Sequence, residues 1–230
     1  MTRPNPLLYT YRRCPYAMRA RMALLWAGIA FDAFEITLRD KPLGMLSASP
    51  KGTVPVLVLL GGQVLEESWD IVEWALSQAR IGTDAREAWR LAQTPENQQL
   101  LSVNDTDFKH HLDRYKYPER FTSEENPTNG WQARQAHRDQ AVQTLLEPLE
   151  RKLTDADFLG GTQACAADIG IFPFVRQFAA VDSNWFDTLP LGRVKTWLEY
   201  WRQSLLFETC MRKLPSNTLV GFSNLTPAQA

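Results

Sequence analysis

The sequence predicts two domains of different class, an α/β domain over residues 5–79 and an all-helical domain over 95–215, with a linker at 80–94 and a tail at 216–230. Three observations carry this. Short apolar or alternating runs broken by turn residues fill the first part of the chain, the pattern of strands interleaved with helices. Aliphatic residues then thin out between Gln78 and Glu96, where Gly82, Thr83-Asp84 and Thr94-Pro95 gather. Beyond that stretch, apolar residues recur at the helical period over long segments.

The first domain reads element by element. Leu7-Leu8-Tyr9-Thr10-Tyr11 is an apolar, β-prone run, and Met18, Met22, Leu25 and Trp26 then fall at helical spacing. Phe31 to Ile36 alternates as a half-buried strand does, and Arg39 to Leu46, interrupted by Pro42 and Gly44, reads as a short irregular helix. Ser47 to Gly52 is loop. Thr53 to Leu60 is a strand with Pro55 near its start, because proline cannot donate to a ladder. Gly61-Gly62 turns the chain into Gln63 to Glu66, and Ser68 is the expected N-cap of a helix from Trp69 to Leu76 with Ile71, Val72 and Ala75 inward. The order is βαβ, then helix, hairpin and helix.

In the second domain, Pro95 to Lys116 and Trp131 to Lys152 are long amphipathic helices separated by a polar loop, Ser123 to Gly130. Asp168 to Val181 is strongly apolar, and the stretch from Val194 to Leu206 sets Val194, Trp197, Leu198, Trp201 and Leu205 on one face.

Composition narrows the function classes. At 230 residues, 44% hydrophobic and 22% charged, the chain has room for a real core and fits a soluble globular protein. A net charge of −1 gives no global field toward nucleic acid or an anionic membrane. Met1 to Pro6 lacks the apolar core of a signal peptide and no run reaches membrane-spanning length, so no membrane association is expected. Cys14, Cys165 and Cys210 are far apart and odd in number, which argues against a disulfide scaffold and for a reducing cytoplasm. No P-loop or dinucleotide fingerprint is present.

The chemistry centres on Arg12-Arg13-Cys14-Pro15-Tyr16-Ala17, between the first strand and the first helix. Pro15 suits the first helical position, where its missing N–H costs nothing. A thiol at Cys14 then faces unpaired backbone N–H groups and the positive end of the helix dipole, which favour thiolate and make it nucleophilic near neutral pH. A buried, inert cysteine is the alternative. The motif holds no second cysteine, so a mixed disulfide at Cys14 needs an external thiol to resolve it.

This layout resembles the cytosolic glutathione transferases. Arg12 through Arg21, in the pattern Arg-x-Cys-Pro-x-Ala-x-Arg-x-Arg, resembles their cysteine-type branch, above all the omega class and its bacterial relatives. The resemblance implies a thioredoxin-like first domain and glutathione as cosubstrate. It assigns Lys41 to the glycyl end of glutathione, Val54 and a cis Pro55 to backbone pairing with the cysteinyl part, and Glu67 and Ser68 to the γ-glutamyl group. Phe158-Leu159-Gly160-Gly161 followed by Ala167-Asp168-Ile169 resembles the family's helix-capping segment, except that Cys165 stands where Ser or Thr is usual, with Thr162 as a substitute cap.

The implied activity is thiol transfer through a Cys14–glutathione mixed disulfide: deglutathionylation, dehydroascorbate reduction or reductive removal of glutathione from conjugates. The alternatives are a conjugating transferase, which would use a hydroxyl such as Tyr9 or Tyr11, and a non-catalytic binding or regulatory protein of the same fold. A small electrophilic or disulfide substrate is expected beside Cys14, between the domains, with Tyr16, Asn104, Asp105, Phe108 and Tyr115 as candidate walls. The family implies a homodimer. Asp107, His110, His111 and Asp113 look metal-like, but adjacent histidines point to different helix faces, so no metal is expected.

Overall fold

An apolar run with no polar face belongs inside a sheet, and all of β1 (Leu7–Thr10) is buried. In this computed structural model, which describes residues 4–79, 83–121 and 130–222, β1 is the central strand of a sheet ordered β4-β3-β1-β2-β5. The other strands are β2 (Phe31–Glu35), β3 (Val56–Val58), β4 (Val64–Leu65) and β5 (Leu219–Phe222). β1 pairs in parallel with β2, Leu7 opposite Asp32 and Thr10 opposite Glu35. A parallel pair needs a crossover, and α1 (Pro15–Trp26) supplies it. On the other side β3 is antiparallel, Tyr9 opposite Val56, and the Gly61-Gly62 turn joins it to β4.

The chain divides into two compact units, 1–90 together with 202–230, and 91–201. In the first unit three expectations shift. The helix α2 (Leu43–Ala48) begins after Pro42 rather than at Arg39, since that proline is its extended N-cap. The strand expected over Thr53 to Leu60 shortens to β3 because Val54–Pro55 is a cis peptide just ahead of it. The expected linker holds a helix, α4 (Asp84–Leu91), whose buried side is only Ala85 and Ala88, too small to register as an apolar stripe. The helix α3 (Ser68–Gln78) buries Ile71, Val72 and Ala75 as expected.

The largest correction is at the far end. The stretch taken for a tail after Pro215 returns as β5, antiparallel to β2, with Phe31 opposite Phe222 and Ala33 opposite Val220. Those two phenylalanine rings stack at 4.9 Å. The expected helix through Leu206 is two helices, α11 (Gly192–Gln203) and α12 (Leu205–Cys210), which leaves Leu205 exposed. Ser204 interrupts them, and its hydroxyl accepts from the Phe207 N–H at 3.2 Å.

The second unit is built of helices joined by turns and holds no strand among its described residues. Pro95 to Lys116 is continuous through α5 (Pro95–Val103), a π turn (Asn104–Phe108) and α6 (Lys109–Lys116). Likewise α7 (Gly130–Ala141), a π turn (Val142–Leu146) and α8 (Glu147–Lys152) form one run, and the polar loop before Gly130 lies outside the described residues. The apolar helix α9 (Ala166–Ala179) starts at Cys165, not Thr162. Asp168 makes that start work: its fully buried carboxylate accepts from the N–H groups of Cys165 (2.8 Å) and Leu159 (3.0 Å) and from the Trp197 indole (2.7 Å). α10 (Ser183–Thr188) links α9 to α11. Among the described residues no helix is long and apolar enough to cross a membrane.

Candidate functional site

Beyond β1 the chain turns tightly, with the Cys14 N–H donating to the Tyr11 carbonyl at 3.0 Å. Cys14 is the N-cap of α1, extended at φ −75° and ψ 122°, with Pro15 as the first helical residue. Its thiol is partly exposed, and Sγ lies 3.6 Å from the Val54 carbonyl oxygen. The Val54–Pro55 bond is cis, as the resemblance implied. Two stretches 40 residues apart thus meet at the thiol.

The turn is held from beneath by a buried arginine. Arg21 on α1 donates to the carbonyls of Arg12 (2.9 Å), Cys210 (3.1 Å) and Tyr11 (3.4 Å), and to the Thr10 hydroxyl. The Arg12 N–H in turn donates to Glu35 at 2.7 Å. Burial pushes the Glu35 carboxyl above its ordinary value, against the pull of that N–H and of the Arg21 and Arg12 charges.

Arg19, on the same helix as Arg21, is buried beside Ser68, donating to its hydroxyl at 3.2 Å. Its guanidinium also lies 5.6 Å from the ring centres of Tyr16 and Trp69. Ser68 is the first residue of α3 and not its N-cap, a position Glu67 takes. The Ser68 hydroxyl therefore meets Arg19 rather than capping the helix. Glu67 is exposed, and its carboxylate is held by Lys51 at 2.5 Å. Lys51 also reaches Glu66 at 3.0 Å, and Glu66 accepts from the Ser49 hydroxyl at 2.6 Å. Bonds to Glu67 and Glu66 hold the Lys51 ammonium above its usual value, and Ser49 and Lys51 hold Glu66 below its own.

Lys51 escaped the sequence reading because it sits in a loop. The signal was a lysine one hairpin away from two adjacent acids. Lys41 arrives at the same loop: a Cβ on Gly52 would lie 3.3 Å from its Nζ, and Gly52 has φ +63°, so glycine suits that position twice over.

The tyrosines weighed as alternative activators are packed. Tyr9 is buried, and a Cβ on Gly44 would lie 2.7 Å from its hydroxyl. Tyr11 borders the same core cluster of Leu7, Ile36, Met45 and Val56. Of the expected second-substrate walls, Tyr16 is half-buried beside Arg19. In the helical unit, Phe108 is fully buried with its ring 5.6 Å from that of Phe178, and Tyr115 is buried against Phe178 (5.3 Å) and Trp185 (6.4 Å). Both are interior side chains, a correction that follows from periodicity marking apolar faces without saying what covers them. Asn104 is buried too, and its amide donates to the Asp105 carboxylate at 2.7 Å.

The family described as "Glutathione S-transferase, N-terminal domain" matches residues 8–83. A probable glutathione transferase of Aplysia californica is 42% identical over 55 residues, 24% of this chain and 60% of that protein. Glutathione S-transferase omega-1 of Sus scrofa is 38% identical over 61 residues, 26% of this chain and 25% of that one. The chain thus spans less than two thirds of the length of these relatives. A solved glutathione transferase family member from Pseudomonas fluorescens, with two glutathione bound, has a TM-score of 0.70 at 17% identity, over 90% of this chain and 92% of that one. The likeness of fold extends through the helical unit, and residues 8–83 are similar to the N-terminal domain of glutathione S-transferases.

Proposed function

We propose that this protein is a glutathione-dependent thiol transferase of omega-like type, acting through a mixed disulfide at Cys14. The observation that carries the reading is the Cys14 thiol at the start of α1, 3.6 Å from the Val54 carbonyl ahead of cis-Pro55. In this reading Val54 offers its backbone to the cysteinyl part of glutathione, as an extended peptide adds to a strand edge. The γ-glutamyl carboxylate meets the N-terminus of α3 and Ser68, and its ammonium meets Glu67. Lys41 takes the glycyl carboxylate, and Lys51 positions Glu67.

The thiolate of Cys14 attacks the glutathionyl sulfur of a mixed disulfide. The S–S bond breaks, the substrate thiolate leaves with the electron pair and takes a proton from solvent, and Cys14 holds glutathione. A second glutathione thiolate then attacks that bond, releases glutathione disulfide and restores the Cys14 thiolate. Conjugation would instead need a hydroxyl aimed at glutathione sulfur, and the packing of the Tyr9 hydroxyl against Gly44 disfavours it. A cytoplasmic homodimer remains the family expectation.

The test is intact-mass analysis after exposure to glutathione disulfide, for wild type and Cys14→Ser, with turnover on a small mixed disulfide. One glutathionyl adduct and turnover, both lost with Cys14, support the reading. Turnover surviving the substitution would point to conjugation, and neither adduct nor turnover to a binding role. Both results defeat it.

A further inference from the structure

All three histidines of the chain come together on the helical unit. His110 and His111 lie on α6 and His137 on α7, 26 residues later, in helices packed side by side. Each offers one ring nitrogen within 4.8 Å of the other two. The ring centres are 5.0 Å apart for His110 and His111, 5.7 Å for His110 and His137, and 5.1 Å for His111 and His137. The sequence reading stopped at two adjacent histidines on different faces. It lacked the third, which the facing helix brings.

We infer that His110, His111 and His137 form a site for one divalent transition cation of the zinc type, with its fourth position left to water. Three neutral imidazoles suit zinc, nickel and copper better than the oxygen-seeking calcium or magnesium. The Nδ1 atoms of His111 and His137 are 2.8 Å apart, so the two ring nitrogens already face one another where a cation would sit. Ligands around tetrahedral zinc sit roughly 3.3 Å from one another at the usual Zn–N lengths. His111 and His137 therefore need to part only slightly, and His110 starts within 4.8 Å of both. Asp107, one turn before His111, acts electrostatically on both His110 and His111, and Asp113 acts on His110. Their negative charge favours a cation, although Asp113 also pairs with Lys109.

One group competes. Arg114 donates to His110 Nδ1 at 3.1 Å and must yield that nitrogen. Its guanidinium already rests 4.2 Å from the centre of the Phe121 ring, a contact it keeps while giving up His110. The cluster is partly exposed, so a cation reaches it without opening a core.

The experiment uses the full chain carrying Cys14→Ser, so that the partly exposed thiol takes no metal, and is independent of the thiol-transfer reading. Metal-stripped protein is titrated with Co2+ by visible absorption and with Zn2+ by calorimetry. One saturable equivalent is expected, weakened at least tenfold by His137→Gln and by His110→Gln, about the smallest loss known for removing even a ligand's supporting partner. Should circular dichroism show His137→Gln misfolded, the exposed His110→Gln carries the test. Absence of a stoichiometric site, or a site undisturbed in the folded variants, would overturn the inference.

Discussion

Arg21→Lys is the sharpest test of how the Cys14 turn is held. The guanidinium is 2% exposed and its fork reaches several acceptors at once, among them the carbonyls of Arg12 at 2.9 Å and Cys210 at 3.1 Å. Nε and Nη2 point at different chain segments, and a compact ammonium cannot reproduce that spread. The buried Cys210 carbonyl and the partly buried Arg12 carbonyl then lose their donor, at about 1–3 kcal/mol for the first and less for the second, so the variant should lose about 1–3 kcal/mol or more. Urea denaturation at neutral pH measures this. Because Arg12 and Tyr11 flank the thiol in sequence, the rate at which Cys14 reacts with a small disulfide should change as well. A stability loss within the roughly 0.5 kcal/mol typical of surface substitutions would refute the clamp.

Two further outcomes follow from other buried groups. Asp168→Ala leaves three buried donors unsatisfied and should cost at least about 3 kcal/mol, while Asp168→Asn, which keeps one oxygen as acceptor, should cost less; equal losses in denaturant unfolding would contradict that ordering. Glu35 tests the pH dependence: its carboxyl is raised above 4.5 in the folded protein, so its contribution is present below 4.5 and is lost as pH rises through the higher folded value. Glu35→Gln abolishes that loss, so wild type should fall in stability relative to the variant between pH 4.5 and neutrality, and a flat or rising difference in denaturation midpoints would reverse the sign.

Much of the α/β unit was legible because its elements are short and carry their own punctuation. Cys14-Pro15 opens α1, Gly61-Gly62 makes a hairpin, and the run from Leu7 can only be a buried strand. What was not legible depends on partners distant in sequence. Whether Ser68 caps α3 or faces Arg19 is decided by a side chain 49 residues away. Two arginines at alternate positions of α1, Arg19 and Arg21, are buried, because each finds acceptors that only the fold assembles. β5 failed to register for a different reason: Leu219-Val220-Gly221-Phe222 is too short to stand out, and its strand state comes from the open edge of β2. His137 was overlooked as a partner of His110 and His111 because adjacency along one helix says nothing about the helix packed against it.

The fold ties the Cys14 turn to residues near 210 and 220. Cys14 sits on a turn, and a turn held only by its own bonds would fray. The carbonyl of Cys210 on α12 gives Arg21 a fixed anchor, so the same guanidinium that reaches Arg12 cannot swing away. The Cys210 thiol adds a contact of 3.7 Å to the Met18 carbonyl on α1. β5 meanwhile covers the edge of β2, the strand that ends in Glu35 and so receives the Arg12 N–H. Arg212 closes over the Phe222 ring at 4.3 Å, on the stack with Phe31. Residues near 210 and 220 therefore connect to the thiol's turn by two routes, through Arg21 and through Glu35, which converge on the two peptide groups that flank the Arg12 Cα: one takes its carbonyl, the other its N–H.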